Sequence, residues 1–337
     1  MDWFERLTGF RETDYATTKA RLHVIGDRLH SDANDRSYGI GTFELASLRT
    51  LRERVRQGGG LPGKLRVGTL SGNVRSLHQS AEFAGALFQV ASQFNMLEMV
   101  SPNVTPEKGV TGYVKDPTQG PGCAIAAGAA TIYRNYFVPV DGGYGQTSER
   151  QLDGLAAVGR ALSAALDMPV DALWSMRNGY ALGTAPGLAA IAAHLAKLDA
   201  QQAEQLRGEL AIGLHQDVEV TDSSAECPPT VSQAFCSALP VACSSVPALG
   251  WAPFATLVLE AAYEATLWAA VLNAQQGGVN LVLLTRLGGG VFGNDDAWID
   301  RAMRRALQLA SSFALDVRIV SHKAPMSSML RLAGEFR

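Results

Sequence analysis

Apolar residues fall into a few strongly patterned runs separated by turns rich in glycine and proline. Residues 65–74 read as a strand that ends in the turn Ser71-Gly72-Asn73. The apolar run 86–97 fits strand or helix by period alone, and its polar close at Ser92-Gln93-Phe94-Asn95 puts the expected strand in its second half. After a Pro- and Gly-rich loop over 101–121, the small residues of 123–133 predict a helix that opens at Gly120-Pro121 and packs close to a neighbour. Residues 151–166 and 187–210 repeat at helical spacing around a turn-like break at 174–180, so an all-helical insertion is expected over about 150–208. Beyond it the pattern gives strands at 210–220 and 234–241 and a long helix at 254–274. A fully apolar strand at 279–287, an amphipathic helix at 295–314 and a last strand at 316–320 complete it. Strand–helix alternation of this kind predicts an α/β fold of three layers, with a largely parallel sheet covered on both faces.

Residues 1–60 hold most of the dense charge, and 45–56 read as a helix with arginines on one face, closed by Gly58-Gly59-Gly60. The expected organisation is an N-terminal helical layer over 1–62, then one α/β domain over 63–337 that carries the insertion. The composition, 47% hydrophobic with 34 glycines in 337 residues, supplies a large core. A net charge of -3 excludes nucleic-acid binding through bulk positive charge, while leaving room for a local phosphate site built from backbone N–H groups. The most apolar stretch, 254–273, has Glu260 and Glu264 in its middle and reads as a buried helix, not a membrane span. No basic stretch followed by an apolar core opens the chain, so no signal peptide is expected. Four scattered cysteines without a CxxC pair fit free thiols, mostly in the core, in a reducing cytoplasm, with no metal and no cofactor expected. His23, His30, His78 and His194 lie in polar or helical segments and are expected at the surface.

Chemistry concentrates in four segments. Leu287-Gly288-Gly289-Gly290-Val291-Phe292-Gly293-Asn294 lies between a buried strand and a helix, where glycines let the backbone approach a ligand and helix-start N–H groups suit a diphosphate. It is neither a Walker loop nor GxGxxG. Thr118-Gln119-Gly120-Pro121 precedes a second helix and reads either as another anion-binding turn or as a plain turn. Strand alternation over 213–222 puts His215, Asp217, Glu219 and Thr221 on one side, which is either a solvated edge or a pocket wall with a carboxylate pair, a His/Asp/Glu metal site being a third reading that alternation alone does not single out. Gln93 and Asn95 close an expected strand, where Asn either bonds a sugar hydroxyl or caps a turn.

Taken in order, residues 70–74, 93–95, 118–123 and 288–294 resemble macrodomains, the ADP-ribose-binding family. The segments 231–241 and 260–266 are similar to a divergent branch that includes bacterial effectors removing ADP-ribose from arginine, notably on ubiquitin. The resemblance covers roughly residues 64–322. It implies a mixed three-layer α/β/α sheet and a site in which Asn95, Thr118, Gln119, Gly120 and Pro121 form one wall. Gly288, Gly289, Gly290, Val291, Phe292, Gly293 and Asn294 would form the other, with Asn73 toward the adenine; Gln93, and His215 from the strand face above, complete the expected ADP-ribose-binding residues.

The chain departs from the family pattern: Asn73 stands where an Asp is usual, and Ser92-Gln93-Phe94-Asn95 replaces Asn-Ala-Ala-Asn. The family's catalytic-Asp loop and the Gln-Glu-Glu signature are absent. Catalytic candidates therefore come from chemistry: Asp217 and Glu219 first, then Asp295, Asp296 and Asp116. The expected activity is hydrolysis of the bond between ADP-ribose and a protein side chain, arginine foremost, in the cytoplasm or in a host cytoplasm after delivery. The expected partner is ADP-ribose or an ADP-ribosylated protein, without nucleic acid or membrane. A non-catalytic reader of ADP-ribose and an enzyme for a small ADP-ribosyl metabolite are the alternatives.

Overall fold

A computed structural model describes residues 1–336. Its centre is a seven-stranded mixed sheet whose strands, in chain order, are β1 (Thr42–Ser47), β2 (Arg66–Ser71), β3 (Leu87–Ala91), β4 (Ala211–Glu219), β5 (Thr230–Cys236), β6 (Leu281–Leu284) and β7 (Asp316–Ser321). Their spatial order is β1-β4-β5-β3-β6-β7-β2. The β1–β4 and β4–β5 pairs are antiparallel, and β5–β3, β3–β6, β6–β7 and β7–β2 are parallel. The protein is a three-layer mixed α/β fold.

Helices cover both faces. On one, α1 (Leu48–Gln57) and α5 (Asp296–Leu309) flank the long α4 (Ala248–Gln275); on the other, α2 (Gln119–Ala126) and α3 (Gly128–Tyr136) pack against β3 and β4. Helix α4 has the length and composition of a membrane span, yet its apolar residues, from Phe254 to Leu272, lie inside the protein. Its two carboxylates are satisfied there: Glu264 by Arg52 at 2.6 Å and Arg305 at 2.6 Å, and Glu260 by Arg207 at 2.6 Å. Pairing of this kind offsets the cost of burying a charge.

Several expectations change. The strand within 86–97 is its first half, β3, because residues 92–97 fold into a tight turn with Met96 at φ 62 and the Asn95 Oδ1 accepting from the Leu97 N–H at 3.1 Å. The N-terminal layer is not all helical. Helices Trp3–Thr8 and Tyr15–Ala20 are followed by a three-stranded sheet (Leu22–Ile25, Arg28–Ser31, Asn34–Gly39), and β1 runs along the edge of the central sheet.

Nor is the insertion all helical: Trp174–Arg177 and Tyr180–Gly183 form a hairpin through Asn178 (φ 47) and Gly179 (φ 79). Asn-Gly with both residues at positive φ is the preferred two-residue hairpin turn. The expected single helix over 123–133 is two helices, α2 and α3, broken at Ala127. The expected strand 234–241 is β5, which begins four residues earlier and gives way after Cys236 to a loop. Finally, β4 is interrupted between His215 and Val218, with Asp217 at φ 55. A bulge there breaks the alternation on which the His215–Asp217–Glu219 row depended.

Candidate functional site

Strands β3 and β6 are adjacent and parallel, so the loops leaving their C-terminal ends emerge side by side. In open parallel sheets, that edge is where ligand crevices form. From β3 the chain continues to Gln93 and Glu98 and, after a long loop, to Thr118 and α2; from β6 it runs into Thr285 and the glycine loop. The two turns converge. Thr118, Gln119, Gly120 and Pro121 line one cavity of about 170 Å³ together with Gly288, Gly290, Val291 and Phe292. A second cavity of about 430 Å³ shares Asp116, Thr118, Gln119 and Thr285 with the first and extends to Asn73, Arg75 and His322. The result is one elongated groove, from Asn73 at one end to Gln93, Glu98 and Tyr180 at the other.

Each wall is fixed from behind. The Gln119 side chain accepts from the Ala91 N–H at 2.9 Å and donates to the Gln89 carbonyl at 2.8 Å, so the start of α2 is stitched to the end of β3. A Cβ on Gly120 would collide with the Ala91 carbonyl and the Glu98 carboxyl, and only glycine allows that approach. Opposite, the Tyr263 hydroxyl of α4 donates to the Thr285 carbonyl at 2.7 Å and accepts from the Leu287 N–H at 2.9 Å, fastening the entry of the glycine loop. Gly288 (φ 74) has no room for a Cβ beside Ala238 and Asn294. The Thr118 cap of α2 makes no side-chain cap bond, and the Gly290 and Val291 N–H groups have no partner among the described residues. Unpaired backbone donors on two facing turns are what an anion needs.

Two carboxyl groups line the inner part of the groove, Glu98 and Asp116. Glu98 is 3% exposed and its Oε1 has no hydrogen-bond partner among the described residues. Burial pushes its acid well above the usual carboxylate range; the Arg134 guanidinium opposes this and Asp116 adds to it, but burial wins. Asp116 is half-buried and accepts from the Thr118 N–H at 2.9 Å. Glu98 is positioned by a chain of contacts. Its N–H donates to the Tyr113 hydroxyl at 3.0 Å, and the helical turn carrying Tyr113 is held by Glu12, which accepts from the Val110 and Thr111 N–H groups at 2.8 and 2.7 Å. Tyr180, from the insertion hairpin, packs on Phe292 with ring centroids 5.3 Å apart and donates to the Met99 carbonyl at 2.7 Å. The insertion therefore contributes directly to the cavity wall.

Other expected site residues lie elsewhere. Asp217 is exposed at the bulge, and Glu219 accepts from the Gly39 N–H at 2.7 Å near Arg28; neither lines the groove. Asp295 caps α5 through the Ala297 N–H at 2.8 Å, and Asp296 pairs with Arg286 at 2.6 Å. Asn95 is fully buried and bonds Gln151 at 2.9 Å, bracing the 92–97 turn. Asn294 is buried and donates to the Leu239 carbonyl at 2.8 Å, while Gly289 and Gly293 are exposed and do not line the cavity. His215 is also buried, with Nδ1 3.0 Å from Arg134, and burial and that guanidinium hold its pKa well below the usual value. Arg134 stacks on Phe235 at 3.8 Å, and burial lowers its pKa to about 10. His78 is in the core, not at the surface: it stacks on Phe88 at 3.8 Å, and burial drives its pKa down to about 4. Of the four free cysteines, Cys123 and Cys236 are buried and Cys227 and Cys243 exposed. Gln93, Asn73, Asp116, residues 118–121 and Gly288, Gly290, Val291 and Phe292 are the expected residues that the structure brings together.

Sequence reasoning missed Glu98 and Tyr180. A single acid inside the apolar stretch Met96-Leu97-Glu98-Met99-Val100 was a signal for the first, and the Asn178-Gly179 hairpin turn was a signal for the second.

No protein-family model matches the chain, and no curated protein matches it. Among solved structures, it is similar to the poly(ADP-ribose) glycohydrolase of Deinococcus radiodurans in complex with ADP-ribose, with 15% identity over 88% of this chain and 92% of that one, at a TM-score of 0.45. It is similar also to the poly(ADP-ribose) glycohydrolase of Thermomonospora curvata, with 14% identity over 96% of this chain and 98% of that one, at a TM-score of 0.46. For the same Thermomonospora enzyme bound to the inhibitor ADP-HPD, the identity is 14% over the same shares, at a TM-score of 0.44.

Proposed function

We propose that the groove binds ADP-ribose and that the protein hydrolyses the glycosidic bond joining it to a protein side chain, arginine foremost. The observation that carries this reading is the convergence of the 118–121 and 288–292 turns on one groove with a buried acid at its inner end. In this reading the adenosine lies toward Asn73, the diphosphate between the two turns, and the distal ribose against Phe292, Tyr180 and Gln93.

Bond cleavage passes through an oxocarbenium-like state, so the leaving group needs a proton and the sugar needs a nearby negative charge or an activated water. Glu98, kept protonated by burial, is the candidate proton donor to the leaving nitrogen. Asp116, across the shared wall, is the candidate base for water. An arginine substrate carries a guanidinium that the Asp116 carboxylate attracts. Asp217 and Glu219, remote from the groove, have no part in this scheme.

The test is release of ADP-ribose from an arginine-ADP-ribosylated protein by wild type, Glu98→Gln and Asp116→Asn, with calorimetry on free ADP-ribose alongside. Expected are turnover by wild type, a loss of at least about 100-fold in each variant, and unchanged ADP-ribose affinity in Asp116→Asn. Binding without release by wild type would make the protein a reader. Release from the polymer but not from arginine would move the activity to the bond between ADP-ribose units.

A further inference from the structure

The groove does not stop at its Asn73 end. Arg75 and Ile125, which line the cavity beside Asn73, also line a further basin of about 480 Å³ on the far side of Arg75. This basin is built by the N-terminal layer, through Trp3, Arg6 and Arg36, against the start of the helix after β2 and the loop after β4. Its charge is uneven. Three guanidinium groups, Arg6, Arg36 and Arg75, face a single carboxylate, Asp222.

That carboxylate is already taken: Arg75 binds it at 2.5 and 2.8 Å and Gln79 at 2.8 Å. Arg6 approaches it only to 3.6 Å and stays half-exposed, and the Arg36 guanidinium has no partner among the described residues. The bidentate pair ties Asp222 to Arg75 and leaves Arg6 with only a long ion pair and the Arg36 guanidinium open to a ligand. Guanidinium forks of this kind match phosphate oxygens. The net charge of the whole chain is -3, so this excess of positive charge is local.

We infer that this basin is a phosphate subsite, taking a phosphoryl group attached to the adenosine side of the bound ligand. The inference rests on the proposed orientation of ADP-ribose, with adenosine toward Asn73. It gives the N-terminal layer a role in selecting among ADP-ribosyl ligands, and it places that selection away from the reacting bond.

Calorimetry with ADP-ribose and with its derivatives phosphorylated at the 2′ or 3′ position of the adenosine ribose tests it. Wild type should bind one of the phosphorylated ligands about tenfold or more tightly than ADP-ribose, the effect of one charge-assisted hydrogen bond, and the gain should shrink as salt rises. In the Arg6→Gln/Arg36→Gln double variant the gain should vanish while affinity for ADP-ribose itself is kept; Arg75 is left intact because it holds Asp222. Equal affinity for all three ligands in wild type, or a gain that survives in the double variant, overturns the subsite alone. Failure of wild type to bind any of the three overturns the ADP-ribose reading and the subsite with it.

Discussion

Glu98 and Glu264 are both 3% exposed, yet they titrate in opposite directions. Burial raises both, but Glu264 accepts hydrogen bonds from Arg52, Arg305 and Trp268, and these outweigh the burial and hold it ionised. Glu98 has only the field of Arg134, whose own bonds go to the Met96 carbonyl, Thr131 and His215, so burial holds its pKa well above the usual carboxylate range. Above its unfolded value of 4.5, the folded state holds a proton that the unfolded state has lost. The stability Glu98 contributes is thus present at low pH and declines as pH rises through and beyond 4.5. Glu98→Gln keeps the shape and removes that titration. Thermal unfolding should show the variant gaining on wild type between pH 5 and pH 8, by about 2 °C or more at the upper end, while ADP-ribose release is lost. A variant equally displaced at both pH values would mean that Glu98 is ionised in the folded protein. Stability gained as activity is lost marks a group kept for chemistry at a cost to the fold.

At the scale of elements, what holds a loop matters more than what the loop contains. The glycine turn after β6 hangs on one hydroxyl, Tyr263, which bonds the Thr285 carbonyl and the Leu287 N–H from the middle of α4. Tyr263→Phe leaves both backbone groups unpaired in a buried setting, a loss of about 1–3 kcal/mol. The expected signature is ADP-ribose affinity weakened several-fold, with faster hydrogen exchange confined to residues 285–292; unchanged exchange there would show that the turn is held by packing. The turn itself was legible in the sequence, because an apolar strand, a glycine run and an amphipathic helix follow one another without interruption. The acids were not. Asp217 and Glu219 looked aligned only on the assumption of a regular strand, and the bulge after His215, with Asp217 at φ 55, sends them elsewhere. Glu98 belongs to no periodic pattern, and its importance comes from the approach of Gly120 and Tyr113, which are distant enough in sequence that only the folded chain reveals it. Asn95 had the right residue type at a strand end, but the strand stops at Ala91 and the turn absorbs its side chain.

At the scale of the whole molecule, one charge network joins segments far apart in sequence. Glu264 of α4 meets Arg52 of α1 and Arg305 of α5, both at 2.6 Å. Glu204, from the insertion, bonds Arg52 at 2.5 Å and also pairs with Arg305 and Arg207, and Arg207 reaches Glu260. The first sixty residues, the insertion and the last α/β unit are therefore pinned to one helix by the same charges, and β1 adds an edge strand to the same sheet. Removing the buried Glu264 carboxylate leaves two partly buried guanidinium groups, Arg52 and Arg305, to share the more exposed Glu204 as their remaining counter-charge. A broken buried pair of this kind costs about 3–5 kcal/mol, more than the pair contributes when intact. Glu264→Ala should accordingly lower the urea midpoint by an amount of that order. Because the network spans all three segments, the loss should appear as one transition, with tryptophan fluorescence and far-ultraviolet circular dichroism superimposing. Two separated transitions would show that the N-terminal layer or the insertion unfolds independently, and that the sheet edge and the charges between them are too weak to make the chain a single cooperative unit.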